Sequence, residues 1–253
     1  MEIILGVYLL DKVRGSNVYL IADKRLALID TGMSGNATRI LSFIKDSGRD
    51  PQELSHIIVT HGHIDHIGSA AELQRLTGAK IVAHQDELVS IEGGNYALAP
   101  RPEEMTRWTK RAMNRRGMLK TCPIDRVVED GEILPYLGGL EVIHTPGHTH
   151  GSMCLFLRKR GVLFVGDTII NNKDRLSRPL PFLSDKNKSE QSLLKLTEYD
   201  FTVCCFGHGP PLEQNTYETV TNFAKNYPNT SLWRRIIKNL NRLVSFGIRL
   251  WRK

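Results

Sequence analysis

A run of ligand-type side chains directly after a short apolar segment constrains this chain most strongly. The run is Thr60-His61-Gly62-His63-Ile64-Asp65-His66, and it follows His56–Val59, which we predict to be a β-strand. α/β folds place ligand-binding groups in loops at the carboxyl ends of strands. His61 and His63 can bind one metal ion, because residues two positions apart in an extended loop point the same way. Asp65 and His66 can face a second ion, and imidazole with carboxylate suits zinc, iron or manganese.

Three further segments with ligand-type side chains each follow a predicted strand. They are Thr145-Pro146-Gly147-His148-Thr149 after Leu140–His144, Gly166-Asp167-Thr168 after Val162–Val165, and Gly207-His208-Gly209 after Phe201–Phe206. Four strand ends that each deliver His or Asp predict one composite site. The other histidines, His56, His84 and His144, are expected to make local hydrogen bonds, and His150 is expected either to face away from the metals or to line the entrance.

The series HxHxDH, PGHTxGS, GDT and GHG, in this order, resembles the metallo-β-lactamase superfamily over nearly all of residues 1–212. The resemblance implies an αββα sandwich of two mixed β-sheets flanked by helices, with the site at one edge. It implies a first metal bound by His61, His63 and His148, a second bound by Asp65, His66 and His208, and Asp167 bridging the two. Asp30 matches an early family motif whose aspartate anchors a ligand histidine.

The periodicity of apolar residues independently predicts layers of strands and helices. Strands are predicted at Ile3–Leu10, Val18–Ala22, Leu26–Ile29, Lys80–Ala83, Arg126–Val128 and Met153–Leu157, besides those named above. Helices are predicted at Asn36–Ser47, at Ser69–Leu76 and after an N-cap at Ser189. Two strand-rich halves, each with helices, predict two sheets packed face to face.

We predict one domain at residues 1–230. Two segments of the chain, one inserted in this domain and one after it, differ from the rest in composition. An Arg-rich stretch at about 93–122 is predicted to be an inserted cap, either a solvated helix face or a lid over the pocket. Residues 231–253 are predicted to form a basic amphipathic C-terminal helix.

The net charge of +7 belongs to this last segment, which carries seven basic residues and no acidic one. Removing those seven from the 34 basic residues leaves 27, equal to the number of acidic ones. A neutral body disfavours nucleic acid as a partner. The basic helix is expected to dock on its own domain, to form a homodimer, or to contact an anionic membrane surface.

The cysteines and the apolar runs favour a cytoplasmic location, with surface association to a membrane as an addition. The N-terminus has no signal-peptide pattern, and no apolar run reaches the roughly 20 residues that span a bilayer. Cys122, Cys154, Cys204 and Cys205 contain no CxxC pair, which is typical of reduced core cysteines. Cys204 and Cys205 are expected to face opposite sides of one strand.

The resemblance implies a hydrolase in which a hydroxide bridges two divalent ions, zinc first and iron or manganese as alternatives. Asp65 and Asp167 are the predicted catalytic carboxylates. The expected reaction is cleavage of a carboxylic ester, lactone or thioester of a small molecule.

Lactonases and carboxylic-ester hydrolases fit best, because glyoxalase-II-like thioesterases carry a helical domain that has no clear room after His208. β-Lactamases generally lack the bridging aspartate, and oxygen-reducing diiron relatives replace the second histidine, here His63, with glutamate. The alternatives are a phosphodiesterase or nuclease and a non-catalytic metal-binding sensor.

Overall fold

The computed structural model describes residues 1–88, 91, 122–173, 175–179 and 183–226. The predicted cap, apart from Cys122, lies outside the described residues, and so does the predicted helix at 231–253. Both segments, and the boundary of the domain at residue 230, therefore stay predictions.

In the described part of the chain, the first sheet contains seven strands. They are β1 (Glu2–Ile4), β2 (Val7–Leu9), β3 (Tyr19–Ala22), β4 (Leu26–Ile29), β5 (Leu54–Ile58), β6 (Lys80–His84) and β7 (Arg126–Val128). The strands lie in chain order across the sheet. β1 to β4 pair antiparallel, and β4 to β7 pair parallel. β4 is buried along its whole length, which is typical of a strand covered on both faces.

Five strands of the described residues form the second sheet. They are β8 (Ile133–Leu134), β9 (Leu140–His144), β10 (Met153–Leu157), β11 (Val162–Phe164) and β14 (Val203–Cys205). Their order is β14-β11-β10-β9-β8, with β11 and β14 parallel and the other pairs antiparallel. β12 (Ile170–Asn172) and β13 (Arg175–Ser177) form a separate two-stranded sheet.

The inner faces of the two large sheets share one buried apolar cluster. Ile29 and Ile58 of the first sheet belong to it together with Leu155 and Phe164 of the second. Successive residues of a strand point to opposite faces, and the adjacent Cys204 and Cys205 follow this rule. Cys205 lies between the sheets and Cys204 lies on the outer face, as predicted.

Helices cover both outer faces. They are α1 (Ala37–Asp46), α2 (Ile64–Ile67), α3 (Ala70–Thr77), α4 (Lys186–Lys195) and α5 (Thr216–Asn226). Ile40 of α1 and Leu73 of α3 pack on the first sheet, whereas Leu193 of α4 and Val220 of α5 pack on the second. This arrangement confirms the predicted αββα sandwich. None of the helices in the described ranges is long and apolar enough to cross a membrane.

The strand directions bring the predicted ligands to one edge. β9 and β11 both pair antiparallel with β10, and β14 is parallel to β11, so these three strands end at the same edge of their sheet. His148, Asp167 and His208 lie in the loops that follow them. The loop after β5 meets this edge, where the Met153 N–H donates to the Thr60 carbonyl oxygen at 3.0 Å.

Two predicted elements were wrong in detail. Ile3–Leu10 is not one strand, because the chain turns at Leu5 and Gly6 and β1 pairs with β2 as a hairpin. Ser189 does not cap the last predicted helix. Asp185 does, since its carboxylate accepts the N–H groups of Asn187 and Lys188 at 2.9 and 3.0 Å, and the helix starts one turn earlier.

Candidate metal centre

The loop after β5 delivers four of the seven predicted ligands. His63 has extended backbone angles and is the N-cap of α2, so Asp65 and His66 lie on a short helix and not on an open bend. His61, His63 and His66 are each at most 2% exposed. Buried imidazoles need partners, and these three belong to groups of side chains that could hold metal ions.

The first group of ligand atoms forms a tight triangle. The Nε2 atoms of His61 and His148 are 3.1 Å apart, His61 Nε2 is 3.0 Å from His63 Nδ1, and His148 Nε2 is 2.8 Å from His63 Nδ1. A tetrahedral zinc ion with Zn–N bonds of 2.0–2.1 Å separates its nitrogen ligands by about 3.3 Å. The triangle is slightly smaller than this face of a tetrahedron, so the three histidines fit a zinc ion.

The second group brings together Asp65, His66 and His208. Their ligand atoms lie within 4.8 Å of one another. His208 Nε2 is 3.2 Å from Asp65 Oδ2 and 3.3 Å from His66 Nε2. Asp65 and His208 are partly exposed, whereas the first group is buried. The second group therefore faces the solvent side of the centre.

Asp167 lies between the two groups. Its Oδ2 is 3.6 Å from His148 Nε2 and 3.5 Å from His208 Nε2, and its Oδ1 is 3.4 Å from His66 Nε2. One carboxylate thus approaches both groups, which is the position that a bridging ligand needs. The Oδ1 atoms of Asp65 and Asp167 are buried and have no hydrogen-bond partner among the described residues. Ligation by a metal would satisfy the Oδ1 atom of Asp167.

The first group is held in the neutral form that metal ligands require. Burial lowers the pKa of His61 well below its ordinary value. It lowers the pKa of His63 to about 3 and, although Asp167 acts in the opposite direction, that of His148 to about 4. These three imidazoles are therefore ready to donate lone pairs at neutral pH.

The second group is held in a charged form. Burial favours neutral His66, but Asp167 and Asp30 outweigh it and raise the pKa well above its ordinary value. Burial is likewise overcome at His208, where hydrogen bonds with Asp167 and Asp65 raise the pKa to about 9. Burial of Asp167 is in turn outweighed by His66 and His208, which keep its pKa well below the usual range. A metal ion at this group would replace the protons that now balance the carboxylates.

Asp30 holds one of the ligand histidines, as the resemblance implied. Its Oδ2 accepts a hydrogen bond from His66 Nδ1 at 2.7 Å and from Thr60 Oγ1 at 2.8 Å, and its Oδ1 accepts the Thr60 N–H at 2.8 Å. A carboxylate behind a ligand histidine fixes the ring and makes it more basic.

Two residues that sequence reasoning missed hold the loop of His208. Asn17 Nδ2 donates to the carbonyl oxygens of Phe206 and Gly209 at 2.9 and 2.7 Å, and Tyr19 Oη donates to Phe206 at 2.7 Å. The Asn17 side chain follows a turn-forming Gly-Ser pair, so the sequence offered only a turn signal.

The remaining histidines make local contacts, as predicted. His84 and His144 stack with ring centroids 3.8 Å apart, and Asp86 lies beside them. His84 Nδ1 accepts the Asp86 N–H, and His144 Nε2 donates to the His150 carbonyl oxygen. His84 Nδ1 and His144 Nε2 are thus already engaged in local hydrogen bonds. His56, in the middle of β5, forms a hydrogen bond with the Tyr136 hydroxyl.

Comparisons with known proteins agree with this geometry. The sequence profile of the Metallo-beta-lactamase superfamily matches residues 11–208, more than half of the chain. The chain is 28% identical over 226 residues to the probable metallo-hydrolase YflN of Bacillus subtilis (strain 168), a match that covers 82% of this chain and 85% of YflN. It is 29% identical over 148 residues to the hydroxyacylglutathione hydrolase GloC of Haemophilus influenzae, covering 58% of this chain and 62% of GloC.

A solved structure shows the same fold. The metallo-beta-lactamase family protein TTHA1429 of Thermus thermophilus superposes with a TM-score of 0.69 at 23% identity, covering 97% of this chain and 84% of that chain. At this identity the likeness establishes the fold alone. The profile match adds the family, and the His and Asp clusters add a metal-binding site. The chain therefore belongs to the metallo-beta-lactamase superfamily, as one of its metal-binding hydrolases.

Proposed function

We propose that this metallo-hydrolase cleaves a carboxylic ester, lactone or thioester of a small molecule with two divalent metal ions. The observation that carries the proposal is the position of Asp167 between two complete ligand groups. Zinc fits the ligands best, and iron or manganese are the alternatives. A relative named hydroxyacylglutathione hydrolase supports including thioesters.

The residues divide the work of holding the ions. His61, His63 and His148 would hold the first ion, Asp65, His66 and His208 the second, and Asp167 would contact both. Two such ions, when bound, lower the pKa of a water molecule toward neutrality and polarise the scissile carbonyl. No serine or cysteine nucleophile is needed for this reaction.

Two carboxylates are placed to handle the proton of the attacking water. Asp167 Oδ2 faces His148 and His208, so it would orient the water between the two groups. Asp65 is partly exposed on the solvent side, and its Oδ1 has no partner in the described part of the chain. We propose that Asp65 Oδ1 accepts that proton.

The cysteines do not offer a competing covalent mechanism. All four are buried. Burial raises the pKa of Cys122 to about 12 and that of Cys154 to about 11, and it raises the pKa of Cys204 well above its usual value. Thiols in such surroundings are inert, because the thiolate is the nucleophile.

A substrate panel tests the proposal. Purified protein reconstituted with zinc is assayed with a p-nitrophenyl ester, an acyl-homoserine-type lactone, an acyl-glutathione thioester and a phosphodiester, beside metal-free protein and Asp167→Asn. We expect turnover of one carbonyl substrate and at least a hundredfold loss in both controls. Turnover of the phosphodiester alone would replace the proposal with a phosphodiesterase. Tight metal binding without any turnover would favour the sensor.

A further inference from the structure

We propose that Glu87 is a positioning residue of the first metal group. Its carboxylate holds the two loops that carry His61, His63 and His148 in fixed positions relative to each other. The inference rests on metal binding by the chain and does not depend on the substrate class proposed above.

The fold places Glu87 beside the first group. It ends the short 3₁₀ turn Gln85–Glu87, which directly follows β6. β6 lies parallel to β5, so the turn after β6 lies beside the loop after β5. Glu87 is 1% exposed, and a buried carboxylate is kept only where strong donors meet it.

The donors come from both loops of the first group. Glu87 Oε2 accepts the N–H of Gly62, at 3.0 Å, and Gly62 is the residue between His61 and His63. Glu87 Oε1 accepts the N–H of Gly151 at 3.0 Å and the hydroxyl of Thr149, which follows His148. One carboxylate thus links the loop after β5 in the first sheet to the loop after β9 in the second.

The second loop approaches Glu87 too closely for a side chain at Gly151. A Cβ atom there would lie 2.6 Å from the Glu87 nitrogen and 2.7 Å from its Cγ. Real Cβ atoms do not come this close to a backbone atom, so the contact requires glycine at this position. The second glycine of the PGHTxGS motif, Gly151, therefore allows the close contact with Glu87.

This arrangement divides the support of the centre between two carboxylates. Asp30 bonds His66 of the second group, whereas Glu87 bonds the backbone around the ligands of the first. The three nitrogens of the first group are only 2.8–3.1 Å apart, so a small displacement of one loop separates them. Removal of such supporting hydrogen bonds typically costs about 10- to 100-fold in metal affinity.

The test is zinc affinity, measured by competition with a chromophoric chelator. Glu87→Gln keeps the shape but turns one acceptor into a donor that faces another donor. We expect about 10- to 100-fold weaker binding of one zinc ion, with a smaller thermal shift on adding zinc. Glu53→Gln is the matched control: Glu53 accepts the Asp50 N–H and bonds Arg49 before the start of β5, at the opposite end of that strand. We expect the Glu53→Gln protein to bind zinc with the affinity of the wild type.

A double-mutant cycle separates positioning from general destabilisation. In a His148→Ala background the first group is already broken, so Glu87→Gln should leave binding of the remaining zinc ion unchanged. If Glu87→Gln does not fold, Thr149→Val replaces it, with an expected loss of about 2- to 10-fold, and Thr149→Ser should restore affinity. Wild-type zinc affinity in the folded Glu87→Gln protein, or in Thr149→Val where Glu87→Gln does not fold, would overturn the inference. So would an equal loss in the His148→Ala background. Wild-type protein that binds zinc but hydrolyses nothing would remove only the proposed function.

Discussion

Asp30 Oδ2 accepts a hydrogen bond from His66 Nδ1 at 2.7 Å, while both oxygens of the same carboxylate bond Thr60. Asp30 follows β4, has a φ of +58° and is 2% exposed. A non-glycine residue keeps a left-handed backbone conformation only where its surroundings fix it. The hydrogen bonds to Thr60 and His66 supply that constraint, so the end of β4 sets the orientation of a ligand that follows β5.

Asp30→Asn should weaken metal binding at the second group. Both carboxylate oxygens of Asp30 accept hydrogen bonds, so an amide nitrogen would face a donor. We expect about 10- to 100-fold lower zinc affinity, measured by chelator competition, in a protein that stays folded by circular dichroism. Asp46→Asn, on the exposed end of α1, is the matched control and should bind zinc like the wild type. Equal affinities for all three proteins would contradict the role of Asp30.

Gly207→Ala should disrupt the centre through a steric effect. A Cβ at this position would lie 2.3 Å from Asp167 Oδ1 and 2.8 Å from His66 Cε1. We expect loss of bound metal, measured by elemental analysis, and at least a tenfold loss of turnover. Gly48→Ala is the control, because its Cβ would meet no atom within 4 Å. Gly48 has a φ of +79°, so this control should lower the free energy of unfolding by about 1 kcal/mol but keep its metal.

Asp23→Asn should lower stability in a pH-dependent way. Asp23 accepts the N–H groups of Leu137 and Lys24 at 2.7 and 2.8 Å, and these bonds hold its pKa below the ordinary 3.8. The carboxylate therefore stabilises the fold above pH 3.8, and this contribution is lost as the pH falls through the folded-state pKa. We expect about 1 kcal/mol less stability for the variant at pH 7, measured by urea unfolding of metal-free protein. If the difference in the free energy of unfolding between the wild type and Asp23→Asn does not become smaller toward pH 3, this account is contradicted.

Removal of residues 231–253 tests the predicted amphipathic helix. A basic amphipathic segment binds anionic surfaces and is screened by salt. We expect the full chain to co-sediment with anionic vesicles at low salt and the shortened chain to stay in the supernatant. If light scattering instead shows a dimer that only the full chain forms, the segment is a dimer contact. Identical behaviour of both chains would contradict both a membrane contact and a dimer contact through this segment.

The sequence indicated the candidate metal-binding residues better than the residues that hold them in place. His61, His148, Asp167 and His208 each follow a strand, and ligand residues after strand ends are recognisable without tertiary information. Asn17 and Glu87 act through backbone groups that are distant in sequence, and no local pattern identifies such partners. Glu87 did carry one signal, since it also follows a predicted strand, at Lys80–Ala83.

The fold was predicted at the level of layers and missed in local detail. Short apolar runs indicated β9, β10 and β11, and the strand period predicts the opposite faces on which Cys204 and Cys205 lie. The helix α2 was missed, because four residues are too few for a periodic pattern. Ser189 and Asp185 are equally good N-cap residues, and periodicity locates a helix start only to within a turn.

The most direct test of the central claim is turnover measured against bound metal. Metal-free protein is titrated with zinc while the rate on the best carbonyl substrate and the metal content are followed together. Our account predicts no turnover without metal and a rate that reaches its maximum at two zinc ions per chain. Full turnover after exhaustive metal removal, with metal content at zero, would contradict it.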